Sequence, residues 1–181
     1  MFLHLCFDSL FTSLMINLFG VHECSADAKG RILLPLPFKK QLNEVLNNGF
    51  IIKPSIFTKS LELFPIKSWH DLSGEVNKLN RFVRENMDFI RMFNYGVKNV
   101  ELDSNARFLI MKDLLDHAGI KKDVVMAGAY DRIEIWDKKA YQKAIKDGRE
   151  GFEALTERVM GNINAASSSE PPKNNGRNHV N

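Results

Sequence analysis

Two arginines, Arg31 and Arg107, each close a short loop that an aspartate opens: Asp27-Ala28-Lys29-Gly30-Arg31 and Asp103-Ser104-Asn105-Ala106-Arg107. An aspartate at the start of a tight turn accepts hydrogen bonds from backbone N–H groups a few residues on, which holds the loop in one shape. Gly30 takes positive φ without steric cost. A loop fixed in this way aims Lys29 and Arg31 in a defined direction, and an arginine fork fits guanine O6 and N7 or a phosphate. The chemistry on offer is recognition of an anionic polymer rather than bond making. One such string is weak evidence, because Asp and Gly are common in surface turns; it recurs 76 residues later, each time before an apolar run (Ile32-Leu33-Leu34, Phe108-Leu109-Ile110), which marks an internal repeat.

Other chemistry finds little support. No nucleophile elbow, phosphate loop or metal-ligand spacing occurs, so neither enzymatic activity nor a cofactor is expected. His4, His22, His70, His117 and His179 are scattered, and His22-Glu23-Cys24 is too short a cluster for zinc without further ligands. Cys6 and Cys24 read as two reduced thiols of a cytosolic protein, not as a disulfide framework. The formal charge of +3 permits a nucleic-acid partner without demanding one.

The loops must be held by elements that repeat with them. Glu62-Leu63-Phe64-Pro65-Ile66-Lys67-Ser68-Trp69 aligns with Glu134-Ile135-Trp136-Asp137-Lys138-Lys139-Ala140-Tyr141 at an offset of 72, four fewer than for the loops. The first copy therefore has a longer middle connection, where Asn47-Asn48-Gly49 and Pro54-Ser55 supply turn chemistry. Each copy reads as an extended stretch (residues 18–24; 97–102), the loop, a short apolar strand and a brief helix (37–46; 112–117), the second capped by Ala118-Gly119. Two further apolar strands follow in each copy, residues 50–53 with 61–64 and 124–129 with 132–135, the latter pair joined at Tyr130-Asp131.

Between the copies Leu72, Val76, Leu79, Val83, Met87 and Ile90 recur at helical steps, which predicts one linking helix over 69–96 with a solvated charged face. Phe82, Phe89, Phe93 and Tyr95 then read as core or oligomer contacts rather than base-stacking platforms. A C-terminal helix is expected over 141–163, with an onset as early as Lys138 and a bend or break near Gly148 and Gly151, and a disordered tail over 164–181. Residues 1–14 are apolar and lack Lys and Arg, so they read as an over-extended start before Met15, or a disordered leader, rather than an export signal or a membrane span.

The run from Asp27 through Arg31 to Pro35, its echo at Asp103 to Ile110 with Ala118-Gly119-Ile120, and Asp131-Arg132-Ile133-Glu134-Ile135-Trp136 resemble the MraZ family over residues 15–161. That resemblance implies an α+β, mainly β fold: two pseudo-repeated AbrB-like swapped-hairpin modules (15–68 and 97–140) with flanking and linking helices, as in AbrB and MazE. It implies a DNA-binding transcriptional regulator in the bacterial cytoplasm, associated with the nucleoid and assembled as a ring-like homo-oligomer. Its partner would be double-stranded DNA at short direct repeats before the division and cell-wall gene cluster, with no membrane or small-molecule substrate. Carried over by position, the DNA contacts fall on Lys29, Arg31 and Arg107, and the loop-shaping residues on Asp27, Gly30, Asp103 and Asn105.

The second copy departs from the family pattern: Ala106 stands where a glycine is usual, and Met111 where the first copy has Pro35. Asn105 is expected to take the left-handed conformation in place of that glycine. With one basic residue against two, the second loop is expected to contribute less to DNA contact. The rival readings are an antitoxin of the same fold and an oligomeric scaffold that has lost DNA binding.

Overall fold

The computed structural model describes residues 16–167. The leader, Met15, Cys6 and most of the expected tail lie outside the described residues. The chain divides into two units, the first ending at Tyr141 and the second beginning at Gln142.

In the first unit, the first copy supplies β1 (Val21–Ser25), β2 (Arg31–Leu33), α1 (Leu36–Gln41), β3 (Phe50–Pro54) and β4 (Leu61–Pro65). Two helices follow, α2 (Ile66–Asn77) and α3 (Arg84–Phe93). The second copy repeats the series as β5 (Lys98–Val100), β6 (Arg107–Leu109), α4 (Lys112–Ala118), β7 (Asp123–Gly128) and β8 (Ile133–Asp137). Gly119, at φ 67°, ends α4 in the left-handed cap expected of it.

The two copies exchange strands. The main sheet runs β1-β7-β8-β4-β3-β5, all antiparallel, so the first strand of each copy pairs with the third strand of the other. β2 and β6 form a separate antiparallel ribbon across the same pseudo-dyad. Neither copy completes its sheet alone, which makes the two modules one folding unit. The fold is thus α+β with mainly antiparallel strands, as expected.

The core lies between the ribbon and one sheet face. Ile32 and Phe108 from the ribbon meet Phe38, Leu114, Phe50, Ile52, Leu61, Leu63, Val124, Met126, Ile133 and Ile135. Each side chain buried as fully as Phe38 contributes about 1.5–3 kcal/mol over its exposed state. On the opposite sheet face Ile51, Phe64, Trp69 and Phe93 cluster under α2 and α3. One edge-to-face aromatic pair recurs in both copies, Phe64 with Trp69 at 5.8 Å and Trp136 with Tyr141 at 5.9 Å between centroids.

The expected single linking helix is two helices. Asn80 diverts the backbone between them: its Oδ1 accepts the Phe82 N–H at 2.9 Å and its carbonyl accepts Asn86 Nδ2–H at 2.9 Å, bonds that compete with the helical ladder. The C-terminal segment is also two helices, α5 (Lys138–Arg149) and α6 (Phe152–Ser167), parted at Gly151 with φ 79°, while Gly148 stays helical. Helix α6 runs through Asn164 to Ser167, so the first four residues of the expected disordered tail are helical.

Candidate nucleic-acid interface

Each Asp-x-x-x-Arg loop is closed the same way. The Asp27 carbonyl accepts the Gly30 N–H at 2.9 Å, and the Asp103 carbonyl accepts the Ala106 N–H at 2.9 Å. Asp27 Oδ1 accepts the N–H groups of Lys29 (2.8 Å) and Arg31 (2.9 Å), and Asp103 Oδ1 those of Asn105 and Arg107 (both 2.9 Å). The second carboxylate oxygen grips the arginine of its own loop: Arg31 Nε donates to Asp27 Oδ2 at 2.7 Å, and Arg107 Nε to Asp103 Oδ2 at 3.1 Å. Hydrogen bonding favours the charged carboxylate. The Arg31 backbone N–H above all holds Asp27 down at about 2, and the Arg107 N–H lowers Asp103 likewise.

Because the aspartate takes Nε, both terminal amino groups of each guanidinium remain free to form a fork. The arginine side chains are 38% and 34% exposed, held in direction yet accessible. Lys29 is exposed on the first loop, which then carries one excess positive charge; the second loop is neutral.

The ribbon sets both arginines on one face. Its register pairs Arg31 with Leu109, Ile32 with Phe108 and Leu33 with Arg107. Directly opposed residues share a face and neighbours alternate, so Ile32 and Phe108 point inward while Arg31, Leu33, Arg107 and Leu109 point outward. The arginines stand two residues apart along the ribbon, about 7 Å, or roughly two base-pair steps of duplex DNA.

Asn105 does not take the left-handed conformation. Ala106 does, at φ 57°, matching Gly30 at φ 81°. Equivalent loop closure imposes the same backbone at the same step, and alanine bears the strain there. Leu33 and Leu109 share this outward face, and period-two alternation from the buried Ile32 and Phe108 is the signal in the sequence that sets them beside the arginines.

Burial pushes the Cys24 thiol up to about 11, away from nucleophilic use. Among the described residues no group of three His, Cys, Asp or Glu could hold a metal ion, and no helix is long and apolar enough to cross a membrane.

A strand-exchanged double module with paired Asp-x-x-x-Arg loops on a two-stranded ribbon defines a swapped-hairpin protein. A family model described as MraZ protein, putative antitoxin-like, matches residues 18–91 and again residues 93–163. The chain is 49% identical over 150 residues to the Transcriptional regulator MraZ of Flavobacterium psychrophilum, covering 83% of this chain and 96% of that one. It is 49% identical over 148 residues to the Transcriptional regulator MraZ of Christiangramia forsetii (82% and 96% covered), and 32% identical over 143 residues to that of Acetivibrio thermocellus (78% and 95% covered). The chain belongs to the MraZ family, whose members are transcriptional regulators and not enzymes.

Proposed function

We propose that this chain is a sequence-specific DNA-binding repressor of the division and cell-wall gene cluster, including its own promoter. It acts in the cytoplasm, at the nucleoid, as a ring-like homo-oligomer on short direct repeats. The observation that carries the DNA contact is the placement of Arg31 and Arg107 on one outward ribbon face, each steered by its own aspartate with two amino groups free. Lys29 adds a phosphate contact beside the first.

A single protomer reads few base edges, so its affinity is low. Identical faces arrayed on an oligomer engage successive repeats, the later contacts forming at high effective concentration. Binding then falls steeply with salt as counterions are released. Repression follows by occlusion of the promoter.

The test is a salt titration of the full chain on duplex DNA from upstream of its own gene, beside Arg31→Ala. Salt-sensitive binding that prefers this duplex over a scrambled one, and is lost in the variant, supports the proposal. Equal binding to both duplexes removes it.

The description of the matched family as antitoxin-like favours a second reading, in which the chain neutralises a toxin. Mass measurement of the purified chain separates the two: a simple dimer supports the antitoxin, a large ring the regulator.

A further inference from the structure

The outward ribbon face is half apolar. Leu33 is 54% exposed and Leu109 is 50% exposed, although each lies in a strand whose next residue inward is fully buried. Single exposed leucines are ordinary on protein surfaces. These two are related by the pseudo-dyad, and each lies directly across the ladder from an arginine: Leu109 from Arg31, Leu33 from Arg107. The face is a checkerboard of two forks and two apolar knobs, spaced about 5 Å across the ribbon and about 7 Å along it.

A partner for this pattern must offer anionic or acceptor groups and isolated apolar groups at similar spacing. The major groove of B-DNA is wide enough for a two-stranded ribbon, and the thymine C5-methyl is the apolar group that projects there beside the acceptors of guanine and adenine. Leucine over a purine edge would leave acceptors unpaired and desolvated, whereas leucine over thymine buries two apolar surfaces together. The charge on this face fits the same occupant. Its guanidinium terminal groups are unengaged, and the neighbouring carboxylates of Asp27 and Asp103 are already committed to the loops.

We infer that Leu33 and Leu109 read thymine methyl groups in the major groove, so that specificity lies as much in these leucines as in Arg31 and Arg107. The inference rests on the DNA-binding function proposed above and adds that the recognised repeats carry thymine within about two base-pair steps of the bases under the arginines.

The experiment uses the full chain, the upstream duplex, and the same duplex with every thymine replaced by deoxyuridine, which removes only the methyl groups. Leu33→Ala and Leu109→Ala are compared with wild type, with thermal unfolding and sizing as controls. The expected result is that deoxyuridine weakens wild-type binding about fourfold for each methyl buried. Each leucine variant should lose a similar factor on thymine DNA, become less sensitive to deoxyuridine, and keep the wild-type salt slope. Leucine variants that bind both duplexes as wild type does, while Arg31→Ala has lost binding, overturn the inference and leave the DNA-binding function intact. Equal losses on both duplexes, or a smaller assembly in the variants, also overturn it, the latter by showing that another copy covers the face. Failure of wild type to prefer the upstream duplex over a scrambled one removes the function and the inference together.

Discussion

Gly30 and Ala106 occupy the same step of two pseudo-symmetric loops and share the left-handed backbone, and each carbonyl accepts a hydrogen bond across the dyad. Ile110 N–H donates to the Gly30 carbonyl at 3.0 Å and Leu34 N–H to that of Ala106 at 2.9 Å. Their tolerances nevertheless differ. A Cβ built on Gly30 would lie 2.7 Å from the Ile110 carbonyl oxygen and 2.9 Å from Leu115 Cδ1. Gly30→Ala should therefore cost about 2–4 kcal/mol, the left-handed penalty plus the displacement of backbone. Ala106→Gly should stay within about 1 kcal/mol of wild type, because relief of strain offsets the added freedom of the unfolded chain and the lost methyl. Urea unfolding of both variants decides this; equal costs would show that the loops are not asymmetric.

The depressed carboxyl of Asp27 predicts an acid limb. Its folded value is about 2 against an ordinary 3.8, so its contribution to stability is complete above the ordinary value and is lost as pH falls through the folded one. Asp103 acts in the same direction. The Asp27 side-chain carbonyl carbon, followed by NMR, should titrate near 2, and Asp27→Asn should flatten the stability curve between pH 3.8 and 2. A midpoint at the ordinary value would mean that the N–H groups of Lys29 and Arg31 do not hold the carboxylate in solution.

Arg31→Ala should weaken binding to the upstream duplex more than Arg107→Ala. The first loop carries Lys29 as well as its arginine and has an excess positive charge, while the second is neutral. Each lost contact is worth about 1–3 kcal/mol, or at least several-fold in affinity. Lys29→Ala should lower the salt slope while leaving sequence preference in place, as a phosphate contact does. Comparable losses from the two arginine variants would assign the loops equal work.

The repeat, the strands and the loop positions were legible because an aspartate, an arginine and an apolar run recur at one spacing, and local chemistry sets each of them. What escaped the sequence was decided by particular hydrogen-bond partners and strand registers, which residue type and periodicity do not specify. The stripe from Leu72 to Ile90 has helical period throughout, yet Asn80 supplies competing hydrogen bonds that periodicity does not register. Assigning the left-handed residue to Asn105 followed intrinsic preference, but the Ala106 N–H closes on the Asp103 carbonyl as the Gly30 N–H does on that of Asp27. The outward leucines needed the ribbon register to place them across from arginines.

A buried charge pair in the central hairpin was hidden for the same reason, and it yields a test of what holds β3 to β4. Lys53 and Glu62 are direct cross-strand partners. Lys53 is 2% exposed; its Nζ donates to the Pro54 carbonyl at 2.9 Å, lies 3.5 Å from Glu62 Oε2, and sits 5.3 Å from the centre of the Phe93 ring. Glu62 Oε1 in turn accepts from Ser55 Oγ at 3.2 Å and pairs with Arg132 at 3.5 Å. Removing one partner strands a buried charge, so Glu62→Ala should cost about 3–5 kcal/mol, whereas replacing both by uncharged residues of similar volume is far milder. The double variant Lys53→Met, Glu62→Gln should accordingly recover most of the stability lost in Glu62→Ala, because the introduced amide oxygen would still accept from Ser55 and the introduced thioether would fill the site over Phe93. Urea midpoints of the two variants measure the difference. A double variant as unstable as Glu62→Ala would mean that the hairpin depends on the ion pair itself rather than on the absence of an uncompensated charge.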